Sequence, residues 1–241
     1  MIERLLKKHL AGFQARTILD VGPGYSDFSR ITARITGASH ITFLDFDESV
    51  LTWQMDRCRE ANIGASAWRE QLDIGAIAHA DCRYDLIHCQ EVLEHLPNPA
   101  GVLRTLADLL EPGGRIVVTV PSAVSERWLK RINPGYMKDE PHGHVVEFDR
   151  GELSGMIRDA GLHILAFVPT QPHYFLAHSW LFGTRMKTEG STGKILTGGF
   201  RGFVLGHLTS FGRRFFLLTG PEFWGRLLPR NYFVVAVKGQ R

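Results

Sequence analysis

Apolar positions Ile2, Leu5, Leu6, Leu10 and Phe13 recur at helical spacing and predict a leading helix within residues 1–14. Short β-branched or continuously apolar runs then alternate with helical patterns. Strands are predicted at Thr17–Val21, His40–Asp45, Ala65–Leu72, Tyr84–Gln90, Arg115–Val120, Leu162–Val168 and Tyr232–Val237. Helices are predicted at Phe28–Ile35, Ser49–Glu60, Val102–Leu110 and 150–160, the last capped by Asp149 with Glu152 three residues on and stopped by Gly161. Glu111-Pro112-Gly113-Gly114 reads as a helix stop and turn, and the stretch after Pro121 as an irregular loop. Strand–helix alternation with short Gly-bearing turns implies an α/β protein built on a doubly wound, mostly parallel seven-stranded sheet.

Residues 170–230 break this rhythm. Phe200, Phe203, Val204, Leu208, Phe211, Phe215 and Leu218 step by threes and fours, with Arg201, Arg213 and Arg214 near the stripe's edges. Five glycines between Gly198 and Gly212 weaken one continuous helix, so two short helices are expected. The expectation is a single domain over 1–241: a core at 15–168, an inserted helical, aromatic and basic lid at 170–230, and a final strand at 231–238.

Composition changes the picture in one respect. The 241 residues are 44% hydrophobic and 22% charged, ordinary for a globular chain, and the net charge is only +3. From residue 171 onward, however, ten Lys and Arg stand against two acids, leaving 18 basic and 23 acidic residues before it. An acidic body with a basic tail suggests a surface for something anionic. Cys58, Cys82 and Cys89 lack metal-type spacing and read as reduced thiols. No signal-like N-terminus and no uninterrupted spanning segment is legible, so a cytoplasmic location is expected.

The candidate chemistry starts at Ile18-Leu19-Asp20-Val21-Gly22-Pro23-Gly24-Tyr25-Ser26-Asp27, a strand running into a glycine turn. Asp27 occupies the place of the third glycine of a dinucleotide fingerprint, and no phosphate loop follows. Acids at Asp20 and Asp27 would repel a pyrophosphate and suit a cationic, phosphate-free ligand. Asp45 ends the second strand, about 21 residues after Gly24, where a carboxylate can accept bonds from both ribose hydroxyls. Read singly, Asp20 is a turn residue and Asp45 a helix-cap neighbour; on consecutive strand ends the pair favours a nucleoside.

ILDVGPGYSD, ITFLDFDESVL, QLDIG, YDLIHCQEVLEHLPNP and LLEPGGRIVVTVP occur in order, and over residues 15–168 the chain resembles the class I S-adenosylmethionine-dependent methyltransferases. The subgroup it resembles most is that of the ubiquinone-biosynthesis O-methyltransferases. The resemblance implies a Rossmann-like fold and S-adenosylmethionine as cofactor. It implies Gly22 and Gly24 under the methionine portion, Asp20 supporting the ammonium, Asp45 on the ribose and Phe46 against the adenine. Asp73 and Ile74 would meet the adenine edge, and Gln90 would line the cofactor near its sulfonium.

A hydroxyl acceptor needs its proton removed, a task suited to histidine. His142 or His144, in the loop after the fifth strand, is a candidate base; the alternative is that His144 packs beside Val145–Phe148. Glu91, Glu94 and His95, if helical, share one face and could hold a divalent cation, although Mg²⁺ prefers all-oxygen shells. The alternative is acids placed favourably at a helix start.

The expected activity is methyl transfer to a small molecule, most readily at oxygen, with a lipid-linked or glycan-type acceptor suggested by the tail. Residues 195–218 would then lie against the inner membrane face. The same stripe also suits packing onto the domain or onto a second copy of the chain. RNA methylation and a non-catalytic, cofactor-binding partner subunit are the rival readings; no RNA-binding motif is present.

Overall fold

The computed structural model describes residues 2–69, 83–132, 143–170 and 229–240. Asp73, Ile74, His142 and the stripe at 195–218 lie outside them.

Helix α1 (Ile2–His9) buries Leu6. Its C-terminal end is held by Arg115, which donates to the His9 carbonyl at 2.9 Å and lies over the Phe13 ring. Strands β1 (Thr17–Val21), β2 (His40–Asp45), β3 (Gly64–Arg69), β4 (Tyr84–Gln90), β5 (Leu110–Pro121), β6 (Leu162–Thr170) and β7 (Asn231–Lys238) form one sheet in the order β3-β2-β1-β4-β5-β7-β6. The pairs β1–β2, β1–β4, β2–β3 and β4–β5 are parallel. The start of β7 meets the ends of its neighbours: Arg230 N–H donates to Thr170 O at 3.0 Å, and Ser122 N–H to Arg230 O at 3.0 Å. So β7 runs against both, and the sheet is mixed.

Helix α2 (Phe28–Thr36) stops at Gly37, whose φ of +77° turns its amide back onto the Ala33 carbonyl. Helix α3 (Glu48–Glu60) is capped by Asp47, which accepts from the Ser49 amide at 2.8 Å. Helix α4 (Pro99–Asp108) starts at Asn98, with proline in the first turn. Fully buried Ile18, Leu19, Ile41, Phe43, Leu86, Ile87, Ile116 and Val117 make the sheet's core.

Two expectations change here. Glu111–Gly114 lies within β5 and does not end a helix in a turn: the β4–β5 register jumps from Tyr84↔Leu110 to Leu86↔Arg115, so these residues bulge out of the ladder. Gly114 fits because a Cβ would stand 2.8 Å from the Glu111 carbonyl oxygen. The region after Pro121 is a helix, α5 (Ala123–Ile132), started by Ser122 Oγ accepting from Ser125 N–H at 3.1 Å. Helix α6 (Arg150–Asp159) follows as expected.

The chain divides into two compact units. One comprises Met1–Val120, Gly151–Phe167 and Phe233–Arg241; the other comprises Pro121–Arg150 and Val168–Tyr232.

Candidate functional site

In the first unit, the turn after β1 is built from both of its glycines. Gly22 has φ +62°, and a Cβ there would stand 2.5 Å from Val92 Cγ2. Its amide is already used, donating to the Leu44 carbonyl at 2.9 Å. Gly24 has φ +50°, with nothing within 4 Å of where a Cβ would be. One glycine lets the turn close onto Val92; the other leaves its outer side open.

Two residues absent from the sequence reading hold this turn. Gln54, fully buried on α3, donates through Nε2 to the carbonyls of Gly24 at 2.6 Å and Ser26 at 3.1 Å. Its Oε1 accepts from Arg30, which also pairs with Asp27 and lies over the Trp53 ring. The Asp27 carboxylate is held below its ordinary range by Arg30. Asp27 therefore anchors the turn and is not the bare charge that the sequence reading offered to a cationic ligand. The signal was legible as Asp27 and Arg30 at i, i+3.

Asp20 is 1% exposed and accepts from the Ser29 hydroxyl. Burial pushes its carboxyl up to about 7, although the Ser29 bond and the Arg30 charge pull it back; the Asp45 charge adds to the rise. Asp45 is also raised, first by burial, with amides of Asp47, Phe46 and Gly24 opposing. Asp20, Gly22, Gly24 and Asp45 are thus gathered at the ends of β1 and β2, and Phe46 follows, 43% exposed.

Gln90 ends β4. Its Nε2 lies 2.7 Å from His88 Nδ1, while its Oε1 has no hydrogen-bond partner. Burial drops His88 to about 3, so the ring is neutral and Nδ1 accepts from Gln90. This fixes the Gln90 amide with its oxygen available. His88 stands opposite Asp20 in the β1–β4 register.

Glu91, Glu94 and His95 are not arranged as the helix reading expected. Glu91 has φ +53° and is exposed, and only Leu93–His95 form a 3₁₀ turn, so the three do not share a helical face. Glu94 is buried, and His95 Nε2 is 4.0 Å from its Oε1.

In the second unit, His144 Nδ1 lies 2.8 Å from Glu126 Oε2, and Arg230 Nη1 donates to Glu126 Oε1 at 3.1 Å. Glu126 sits in the first turn of α5, an element the sequence reading missed. Ser122, followed by Leu129 and Ile132 at helical spacing, was the available signal.

The family described as "Methyltransferase domain" matches residues 1–166. The chain belongs to the class I S-adenosylmethionine-dependent methyltransferases. This methyltransferase is 30% identical over 179 residues to the ubiquinone biosynthesis O-methyltransferase of Pseudomonas paraeruginosa, a match covering 70% of the chain and 75% of that protein. To the protein of the same name in Aeromonas salmonicida it is 32% identical over 159 residues, 63% of the chain and 64% of that protein. A putative methyltransferase of Bacillus halodurans shares the fold, with TM-score 0.61, 14% identity and 98% of each chain covered. So does the plantazolicin methyltransferase BamL, whose structure holds a triazolic desmethylPZN analog and SAH, with TM-score 0.58, 13% identity, and 99% of this chain and 84% of that one covered.

The residues of the methyltransferase fit its cofactor. The open side of Gly24 leaves room for a ligand against backbone, and an ammonium placed beside Asp20 would return its raised carboxyl to the charged form. Asp45 presents an acceptor-only group once ionised, as a ribose diol requires.

Proposed function

We propose that this methyltransferase acts on a hydroxyl oxygen of a small-molecule acceptor, of the lipid-linked or glycan type. The observation that carries this is the name shared by the relatives at about 30–32% identity, ubiquinone biosynthesis O-methyltransferase. S-adenosylmethionine supplies an electrophilic methyl on a sulfonium, with neutral thioether as the leaving group. Most of the protein's contribution is alignment of acceptor oxygen, methyl and sulfur, worth several kcal/mol by proximity alone (up to roughly 7–11).

In this reading Gly22 and Gly24 underlie the methionine portion, Asp20 balances the ammonium, Asp45 holds the ribose and Phe46 covers the adenine. Gln90, oriented by His88, lines the sulfonium side. Asp73 and Ile74 would complete the adenine edge, and His142 or His144 would take the acceptor proton. Residues 195–218 would bring the enzyme to an anionic membrane surface; flotation with anionic liposomes at low salt tests this, and a chain that stays at the bottom sinks it.

The deciding experiment incubates the protein with tritium-methyl-labelled cofactor and an organic-solvent extract of bacterial cells. Label recovered in an ether supports hydroxyl methylation. Label in nuclease-sensitive material, or on nitrogen or carbon, overturns it.

A further inference from the structure

The carboxyl end of β4 carries an imidazole and a carboxamide, both within the first unit, that leave one buried acceptor unused. We propose that His88 is a positioning residue for the cofactor, holding the Gln90 carboxamide with its oxygen toward the sulfonium, so that the site distinguishes the charged methyl donor from its neutral thioether product. This rests on the placement of the cofactor over the glycine turn given above.

The geometry starts from the strand. His88 and Gln90, two residues apart on β4, share one face of the sheet, and Gln90 Nε2 lies 2.7 Å from His88 Nδ1. A carboxamide nitrogen only donates, so Nδ1 is the bare acceptor and the ring proton sits on Nε2. His88 is fully buried, and that burial keeps the ring neutral and able to accept. The Gln90 oxygen is thereby turned away from the ring. It is buried, and among the described residues it has no hydrogen-bond partner. Folded proteins rarely leave a buried acceptor so, which points to a group that arrives with the ligand.

The place of Gln90 in the sheet indicates which ligand. Strand β1 has β2 on one side and β4 on the other, and β5 lies beyond β4. The chain therefore leaves β1 and β4 in opposite directions, and their carboxyl ends flank the switch point where open α/β sheets hold ligands. Val21 pairs with Cys89, which brings Gln90 level with Gly22, and Gly22 closes onto Val92 just beyond. The residue bearing the unused oxygen thus stands beside the turn assigned to the methionine portion.

His88 Nε2 also lacks a partner among the described residues. Burying that N–H costs stability that an apolar residue at 88 would not lose. What the imidazole supplies is direction. Without it the carboxamide can turn over and set its NH₂ group, a partial positive charge, against the sulfonium. With it the site presents only the oxygen, and a dipole fixed in a buried site acts strongly on a charge. Sulfur loses its positive charge when the methyl leaves, so the contact holds the donor and loosens on the product.

The test measures S-adenosylmethionine and SAH binding by calorimetry for the full chain and for Gln90→Met, His88→Leu, His88→Asn and Asp45→Ala. Both ligands carry the ammonium and the ribose, so the ratio of their affinities isolates the sulfonium. The expected result is a preference for the donor that falls on the order of 2–10-fold in Gln90→Met and in His88→Leu, with SAH affinity unchanged. His88→Asn, which can put an oxygen near the place of Nδ1, should restore most of the preference. Gln90→Met carries the test alone if His88→Leu does not fold. In the ¹⁵N spectrum, the histidine signals lost in His88→Asn should report a proton on Nε2. A proton on Nδ1 means a reversed carboxamide and overturns the proposal. Asp45→Ala should weaken both ligands alike and leave the ratio fixed. Loss there, with an unchanged ratio in folded Gln90→Met, overturns the proposal alone. No loss of either ligand in Asp45→Ala removes the cofactor placement and the proposal with it.

Discussion

The side-chain amide of Gln54 reaches from α3 to the carbonyl of Gly24 at 2.6 Å, clamping the glycine turn after β1. Gln54 is fully buried and also receives Arg30, so its removal takes a hydrogen bond from three groups at once, the Gly24 and Ser26 carbonyls and Arg30. Gln54→Ala should destabilise the fold by about 1–3 kcal/mol and weaken cofactor binding. Thermal unfolding and calorimetry check both, and unchanged affinity in a destabilised protein would detach the clamp from the site.

The two glycines of that turn should respond differently. Gly22→Ala combines a left-handed backbone with a contact on Val92, whereas Gly24→Ala meets only the backbone term, roughly 1–2 kcal/mol. Adding Val92→Ala should recover part of the stability lost in Gly22→Ala and none of that lost in Gly24→Ala. Equal recovery in the two backgrounds would contradict the packing assignment.

Asp20 makes stability and binding depend on pH in opposite senses. Its carboxyl is pushed from an ordinary 3.8 to about 7 in the fold, so between those values the unfolded chain gives up a proton that the folded one keeps. Stability of the cofactor-free protein therefore falls as pH rises through this window. With the cofactor ammonium placed beside Asp20 as proposed, the ionised form would be favoured, so affinity should rise over the same window and binding should release a proton. Asp20→Asn should be relatively more stable at pH 8 than at pH 5 and bind cofactor weakly. Unfolding curves from pH 5 to 8 that run parallel for the two proteins would refute it.

Asp45→Ala should cut cofactor affinity by roughly 10-fold or more, since a charged hydrogen-bonding group contributes about 1.5–3 kcal/mol. Its stability should change little or improve, because burial is the largest influence on this raised carboxyl. Calorimetry with S-adenosylmethionine and with methionine alone separates a ribose contact from a general collapse: only the nucleoside should lose affinity.

Much of the sheet was legible because its strands announce themselves. Ile18-Leu19, His40–Asp45 and Arg115–Val120 are short, β-branched and stopped by glycine, acid or proline, and the glycine turn with Asp45 pointed to the cofactor. What escaped were long-range partners. Nothing near Gly24 in sequence advertises Gln54, thirty residues on. Asp27 and Arg30, by contrast, are a local i, i+3 pair that faces as soon as α2 forms. The Glu91–His95 segment misled for the reverse reason. Its spacing is helical, but Glu91 in a left-handed conformation leaves room only for a single 3₁₀ turn.

The bond between Thr170 O and Arg230 N has a consequence for how this enzyme could diversify. The chain departs from β6 and rejoins at β7 across one hydrogen bond, between adjacent strands running in opposite directions. Whatever joins these two points need satisfy only a hairpin's end-to-end distance. The intervening stretch is in that sense a cassette, replaceable in length and composition without re-threading the sheet.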